Sequence, residues 1–90
     1  MSVRITIPSF LQSLAGNQTT ADVNGATIGD CLEELVRKYP GLNGQFLDDS
    51  GELHEYIEIF VNGKTAYPRE LSQPVTNGDE ITVLNVIFGG

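Results

Sequence analysis

The amino-terminal part of the chain alternates apolar and polar residues in two separate stretches. Over residues 3–7 every second side chain is apolar and Pro8 follows, which predicts a strand that ends where proline cannot donate to a sheet. The alternation returns over residues 19–24, so we predict a second strand that pairs with the first as a hairpin. The loop between them holds three large apolar residues that we expect to pack against the core. They are Phe10, Leu11 and Leu14.

The pattern then changes to the period of an α-helix. Apolar residues recur every three or four positions, which is the spacing of one helical face. They are Ile28, Leu32, Leu35, Val36 and Tyr39. Thr27 with Asp30 three positions later resembles a capping box in which Asp replaces Glu, and a Pro-Gly pair stops the pattern at Pro40. We therefore predict one helix between Thr27 and Pro40.

A third alternating stretch covers residues 53–61 and predicts the clearest strand. One of its faces is apolar and points to the core, while Tyr56 and Phe60 lie on the other face. An Asn-Gly pair follows, which is the preferred sequence of a type I′ hairpin turn, and it returns the chain into a short strand over residues 64–67. The two outward aromatics are either covered by a loop or exposed as a docking site for a partner.

The last strand follows a turn that ends at Asp79 and is apolar on both faces. Such a strand is typical of the centre of a sheet, either covered on both sides or paired in parallel. The element order is strand, strand, helix, strand, strand, strand. This order predicts an α+β fold in which one helix covers one face of a mixed sheet.

Length and charge limit the possible functions. A chain of 90 residues forms one small domain. Its net charge of −7 repels phosphate backbones and anionic membranes, so we expect no nucleic-acid or membrane partner and basic patches on the partners it has. The same acidity would also serve solubility alone. No stretch has the length of a signal peptide core or a membrane span, which predicts a cytoplasmic protein.

Cysteine and histidine occur once each, as Cys31 and His54. This excludes an intramolecular disulfide, an iron–sulfur site, and a zinc site built from several Cys or His ligands. Cys31 lies at the edge of the apolar helix stripe and is expected to be a small buried hydrophobe rather than a nucleophile. His54 is expected to be a surface residue. We predict no metal site and no stand-alone enzyme, because these residues cannot assemble a nucleophile, a base and an orienting group.

The chain ends in Gly89-Gly90 directly after the apolar last strand. Two residues without Cβ form a thin segment that can enter a narrow channel and present the terminal carboxylate to another protein's active site. A carboxylate is a poor acyl donor until it is activated, and the sequence has no G-x-x-x-x-G-K-[ST] loop to hold ATP. The activating machinery must therefore belong to a partner.

The element order, the N-G-D-E turn, the apolar last strand and the terminal diglycine together resemble the ubiquitin-like β-grasp sulfur carriers. This family includes the small subunit of molybdopterin synthase and the carriers of the thiamine and cysteine pathways. Residues 53–62 are similar to the L-H-x-[FY]-[IV]-x-I-[FY]-V-N stretch of the cysteine branch. The resemblance implies a β-grasp domain over residues 1–86, with a mixed sheet of four to five strands and one main helix, and a flexible tail over residues 87–90.

The resemblance also implies a mechanism. An E1-like enzyme that uses ATP and Mg would adenylate the carboxylate of Gly90, and a sulfur donor would displace AMP to leave a thiocarboxylate. The sulfur would pass to an acceptor, which is a pyridoxal-phosphate cysteine synthase in the favoured cysteine branch and the large subunit of molybdopterin synthase in the molybdenum cofactor branch. The chain would bind no cofactor itself and would act as a substrate or subunit of these partners.

The same resemblance implies a role for each residue of the tail. Gly90 would carry the sulfur, Gly89 would allow threading, and the backbone of Phe88 and Ile87 would guide the tail as an added strand. Phe88 departs from the small residue that usually precedes the diglycine, so a partner's channel must be wider or hold a pocket. Two other functions stay open: a protein modifier joined to lysines through Gly90, and an interaction module whose diglycine is incidental.

Overall fold

The fold is a five-stranded mixed sheet with one α-helix packed on one of its faces. It is described by a computed structural model over residues 2–86. The strands are β1 (Val3–Thr6), β2 (Thr20–Val23), β3 (Ile57–Val61), β4 (Lys64–Thr65) and β5 (Glu80–Asn85), the helix is α1 (Ile28–Lys38), and two 3-10 helices cover Ser9–Ala15 and Pro40–Leu42. The strand order is β2-β1-β5-β3-β4.

The last strand lies at the centre of the sheet, as predicted. β5 pairs in parallel with β1 and antiparallel with β3. On the helix side Ile81 and Val83 are fully buried, whereas Leu84 on the other side is exposed. Of the two alternatives predicted for this strand, parallel pairing is found, whereas coverage on both faces is not found at Leu84.

The helix forms where the apolar spacing predicted it. The Thr27 hydroxyl accepts a hydrogen bond from the Asp30 N–H at 3.1 Å and caps the first turn. The buried residues of α1 contact the apolar face of the sheet in one continuous core. They are Ile28, Cys31, Leu32 and Leu35. Cys31 is therefore a buried core residue, as the sequence predicted.

Three predicted elements differ from the structure. Two predicted strands are shorter than expected, and one predicted loop contains a short helix. The strand expected over residues 53–61 begins only at Ile57, since the Ile57 N–H donates to the His54 carbonyl at 3.0 Å and closes a turn. The strand expected over residues 64–67 is limited to β4. The expected loop at residues 9–18 contains the first 3-10 helix, which buries Leu11 and leaves Phe10 and Leu14 exposed.

A long loop between β4 and β5 is fastened to the start of the helix. The Gly29 N–H donates to the Leu71 carbonyl at 2.9 Å, and the Ile28 N–H donates to the Gln73 carbonyl at 3.0 Å. Both donors belong to the first turn of α1, where the helix itself offers no acceptor. The approach is so close that a Cβ on Gly29 would lie 2.9 Å from the Leu71 oxygen. Glycine is thus required here for space.

Candidate docking surface and tail root

The central strand leads directly into the carboxyl-terminal tail. After β5 ends at Asn85, the Val86 N–H donates to the Tyr56 carbonyl at 2.7 Å. This bond prolongs the β3–β5 ladder by one residue and fixes the point from which the last four residues depart. The predicted site residues Ile87, Phe88, Gly89 and Gly90 themselves lie outside the described residues. Four extended residues reach at most about 14 Å from this root.

His54 supports the turn that anchors the tail. Its Nε2 lies 2.8 Å from the Gly44 carbonyl oxygen, and its ring stacks on Tyr56 with centroids 4.9 Å apart and planes at 12°. Tyr56 in turn supplies the carbonyl that accepts from Val86. The sequence predicted a surface position for His54, whereas its side chain is half-buried. Its i, i+2 spacing from Tyr56 was the signal that these rings share a face.

The face of the sheet opposite the helix carries the two predicted docking aromatics. Phe60 lies on this face, opposite Thr65 of β4 and Thr82 of β5, and is half-buried. Tyr56 continues the same alternation and is 38% exposed. The structure therefore favours exposure over loop coverage at Tyr56, while Phe60 is shielded in part. Their docking role stays a prediction.

Leu84 lies beside these aromatics, although its exposure was not predicted from the sequence. It is 45% exposed and lies opposite Glu58. In the antiparallel register this position is diagonal to both Phe60 and Tyr56, within reach of large side chains. We call Tyr56, Phe60 and Leu84 the open-face patch. The signal in the sequence was its position in the strand. Leu84 is an odd number of residues from the buried Ile81 and Val83, so its side chain lies on the opposite face.

A polar network fixes the start of the strand that carries the tail. Asn62 and Gly63 both adopt positive φ, as a type I′ turn requires. The Asn62 side chain donates to Asp79 at 3.0 Å and accepts from the Glu80 N–H at 2.9 Å. The Thr76 N–H and the Asn62 amide stabilise the Asp79 carboxylate and lower its pKa. The β3–β4 hairpin is thereby tied to the first residue of β5.

Other groups with potential chemistry are poorly placed for it. Burial, and secondarily the neighbouring Asp30, raises the pKa of the Cys31 thiol, which keeps it from acting as a thiolate. Within residues 2–86 no cluster of three or more His, Cys, Asp or Glu could hold a metal ion. No helix in that same range is long and apolar enough to cross a membrane.

Comparison with known proteins agrees with this architecture. The ThiS family matches residues 5–90 of the chain. The sulfur carrier protein CysO of Mycobacterium tuberculosis is 30% identical over 93 residues, with both chains covered completely. Small archaeal modifier protein 1 of Haloferax volcanii is 37% identical over 82 residues, which cover 89% of this chain and 91% of the relative.

The solved structures show the same fold. A chain in the crystal structure of the Amycolatopsis orientalis BexX/CysO complex superposes with a TM-score of 0.87 at 25% identity, covering 98% of this chain and 99% of that one. A mixed sheet with one helix is thus shared along the whole length, and the β-grasp prediction is confirmed.

Proposed function

The chain belongs to the ThiS family, and we propose that it is a sulfur carrier that holds sulfur as a thiocarboxylate on its carboxyl-terminal Gly90. The observation that carries this proposal is the 30% identity to the sulfur carrier protein CysO across the full length of both chains. The match of the ThiS family to residues 5–90 includes the diglycine end. The fold adds that the central strand runs out toward that end.

The chemistry takes two steps at the carboxylate of Gly90. An oxygen of the carboxylate attacks the α-phosphorus of ATP, and pyrophosphate leaves to give an acyl adenylate. A sulfur nucleophile at the oxidation level of HS⁻ then attacks the carbonyl carbon, and AMP leaves with the electrons of the broken C–O bond. The product is a thiocarboxylate, whose sulfur is the better nucleophile. An E1-like partner supplies ATP, Mg and the catalytic groups.

The described part of the chain contributes an anchored root and a docking surface. The Val86 N–H bonded to Tyr56 holds the root in the ladder, so that a partner meets the start of the tail at a defined point. The open-face patch begins at that point, because Tyr56 is one of its members. A partner that binds the tail therefore meets an exposed apolar surface next to it. Apolar surface of this kind forms the core of protein interfaces. Tyr56 and Phe60 are proposed to make this contact.

We place the chain in the cysteine branch of the family. The sulfur carrier protein CysO is similar to this chain over the full length of both, and residues 53–62 carry the stretch typical of the cysteine branch. The acceptor would then be a pyridoxal-phosphate enzyme that holds an aminoacrylate. Phe88, in place of a small residue, requires a pocket in the channel of that enzyme. The large subunit of molybdopterin synthase is the alternative acceptor.

A second function has its own supporting observation. Small archaeal modifier protein 1 is 37% identical over 82 residues, which is a higher identity than that of CysO over a shorter span. A modifier would use the same acyl adenylate and transfer Gly90 to a lysine amine as an isopeptide. Both functions need the same carboxyl terminus, so the products distinguish them.

The test is intact-mass analysis of the protein isolated from its native host, with a variant that lacks Gly89-Gly90 as control. We expect a fraction that is heavier by one oxygen-to-sulfur exchange, mapped to Gly90 and missing from the truncated variant. Lysine-linked conjugates without any thiocarboxylate would favour the modifier. An unchanged carboxylate under both sulfur-limited and sulfur-replete growth would refute both and favour an interaction module.

A further inference from the structure

A groove lies next to the tail root, on the side of the loop that follows β4. It is open, has a volume of about 690 Å³, and includes Leu53, Ile57, Leu71 and Val86 in its lining. Val86 is the last described residue before the tail, so the groove begins where the tail departs. We call it the tail-side groove. Its lining includes none of the three residues of the open-face patch, and its outer wall is formed by residues 67–72.

The outer wall carries an aromatic side chain that is largely exposed to solvent. Tyr67 is 73% exposed, the largest fraction among the large hydrophobic side chains of residues 2–86 that face solvent. Tyrosine combines a large apolar ring with a polar tip, which is why it is enriched among the residues that contribute most to protein interfaces. An exposed Tyr67 beside an apolar floor fits a protein partner better than a small molecule, for which this groove is too open.

The rim of the groove is strongly acidic. Four carboxylates line it, namely Glu52, Glu55, Glu58 and Glu70. Arg69 is the one Lys or Arg side chain in the lining, which also holds His54. The two ion pairs found within residues 2–86 lie elsewhere. The rim therefore has a negative potential that attracts Lys and Arg.

We propose that the tail-side groove receives a segment of the activating enzyme in which an apolar side chain is flanked by Lys or Arg. This inference rests on the proposed function. The activating enzyme must bind the triphosphate of ATP beside Gly90, and surfaces that bind phosphate are rich in Lys and Arg. The tail spans at most about 14 Å, so the enzyme surface that binds Gly90 lies within that distance of the tail root, where the groove begins.

The charges and the apolar floor act on different steps of binding. The carboxylates at the rim accelerate encounter with a basic surface, and this effect is screened by salt. Tyr67 and the floor lose contact with water on docking and slow dissociation, which salt affects little. The inference therefore predicts two classes of variant with different salt dependence.

The experiment measures pyrophosphate exchange catalysed by the adenylating enzyme of the same host, with the full-length carrier as the varied substrate. The groove pair is Glu55→Gln with Glu70→Gln, and a separate variant carries Tyr67→Ala. The matched control pair is Glu33→Gln with Asp49→Asn, which removes the same charge from a different groove beside α1. Circular dichroism verifies that every variant is folded.

We expect the groove pair to raise KM about fivefold at about 50 mM salt and less than about twofold at about 500 mM, with kcat unchanged. Tyr67→Ala should raise KM at both salt concentrations. The control pair should change KM less than about twofold, because exposed charges far from an interface contribute little. Equal effects of the two pairs would overturn the inference, since net charge alone would then suffice.

Two further outcomes separate this inference from the proposed function. If the wild-type chain is adenylated and the groove variants change only sulfur delivery to the acceptor, the groove belongs to the acceptor and the inference is wrong. If the wild-type chain is not adenylated at all, the proposed function and the inference fail together.

Discussion

Replacing Gly29 with alanine tests how the loop after β4 is held. In an ordinary helix this change stabilises a protein by up to about 1 kcal/mol, because alanine has the higher helix propensity. In this chain the new Cβ would lie 2.9 Å from the Leu71 carbonyl oxygen, which is backbone and cannot rotate away. The helix and the loop must therefore separate.

The magnitude follows from the contacts that the separation weakens. The Gly29 N–H bond to Leu71 and the Ile28 N–H bond to Gln73 both join the loop to the helix. Losing the two costs about 1–3 kcal/mol at about 0.5–1.5 kcal/mol each, and the propensity gain offsets part of this. We expect a net loss of about 0.5–2 kcal/mol, which lowers the Tm of a domain of this size by about 2–15 °C.

Urea unfolding followed by far-ultraviolet circular dichroism measures this loss. The control is Glu33→Ala, an exposed position of α1 where we expect a change within about 0.5 kcal/mol. Because residues 67–72 form the wall of the tail-side groove, Gly29→Ala should also raise the KM of activation. A Gly29→Ala protein as stable as the wild type, or more stable, would refute the reasoning.

Three further predictions concern the docking surface, a carboxylate and the thiol. Leu84→Thr should lower the free energy of unfolding by no more than about 1 kcal/mol, because the side chain is 45% exposed and threonine is favoured in strands, and should raise KM about tenfold in the activation assay; an unchanged KM would remove Leu84 from the interface. The folded-state pKa of Asp79 is lowered, so its contribution to stability is present above the ordinary carboxyl pKa and is lost as the pH falls through the folded value. Asp79→Asn should therefore make the urea midpoint fall less steeply between about pH 5 and about pH 2, and equal slopes would contradict the assigned bonds. Cys31 is fully buried, so iodoacetamide should label it in urea and not in buffer, and rapid labelling of the folded chain would show that the helix packs more loosely.

The sequence determined those elements whose signals are local. The helix followed from a 3.6-residue period, the Thr27 cap and the Pro40 stop, because each acts within a few residues of its position. The hairpin turn at Asn62-Gly63 followed from the tolerance of these residues for positive φ. The burial of Cys31 followed from its place on the apolar stripe. The diglycine end could be recognised from the sequence alone, since its chemistry depends only on the covalent chain.

Features formed by residues distant in sequence could not be predicted and are seen only in the tertiary structure. Parallel pairing of β1 with β5 sets residues 76 positions apart side by side, as Arg4 with Glu80, and no local pattern specifies that register. The turn before Ile57 interrupts the alternating run of residues 53–61, because His54 donates its N–H to the Phe46 carbonyl instead of to a strand. The tail-side groove likewise exists only because the loop after β4 is bonded to the start of α1. Hydrogen bonds and burial between distant segments outweigh local preference at these places, and there the candidate surfaces for partners are formed.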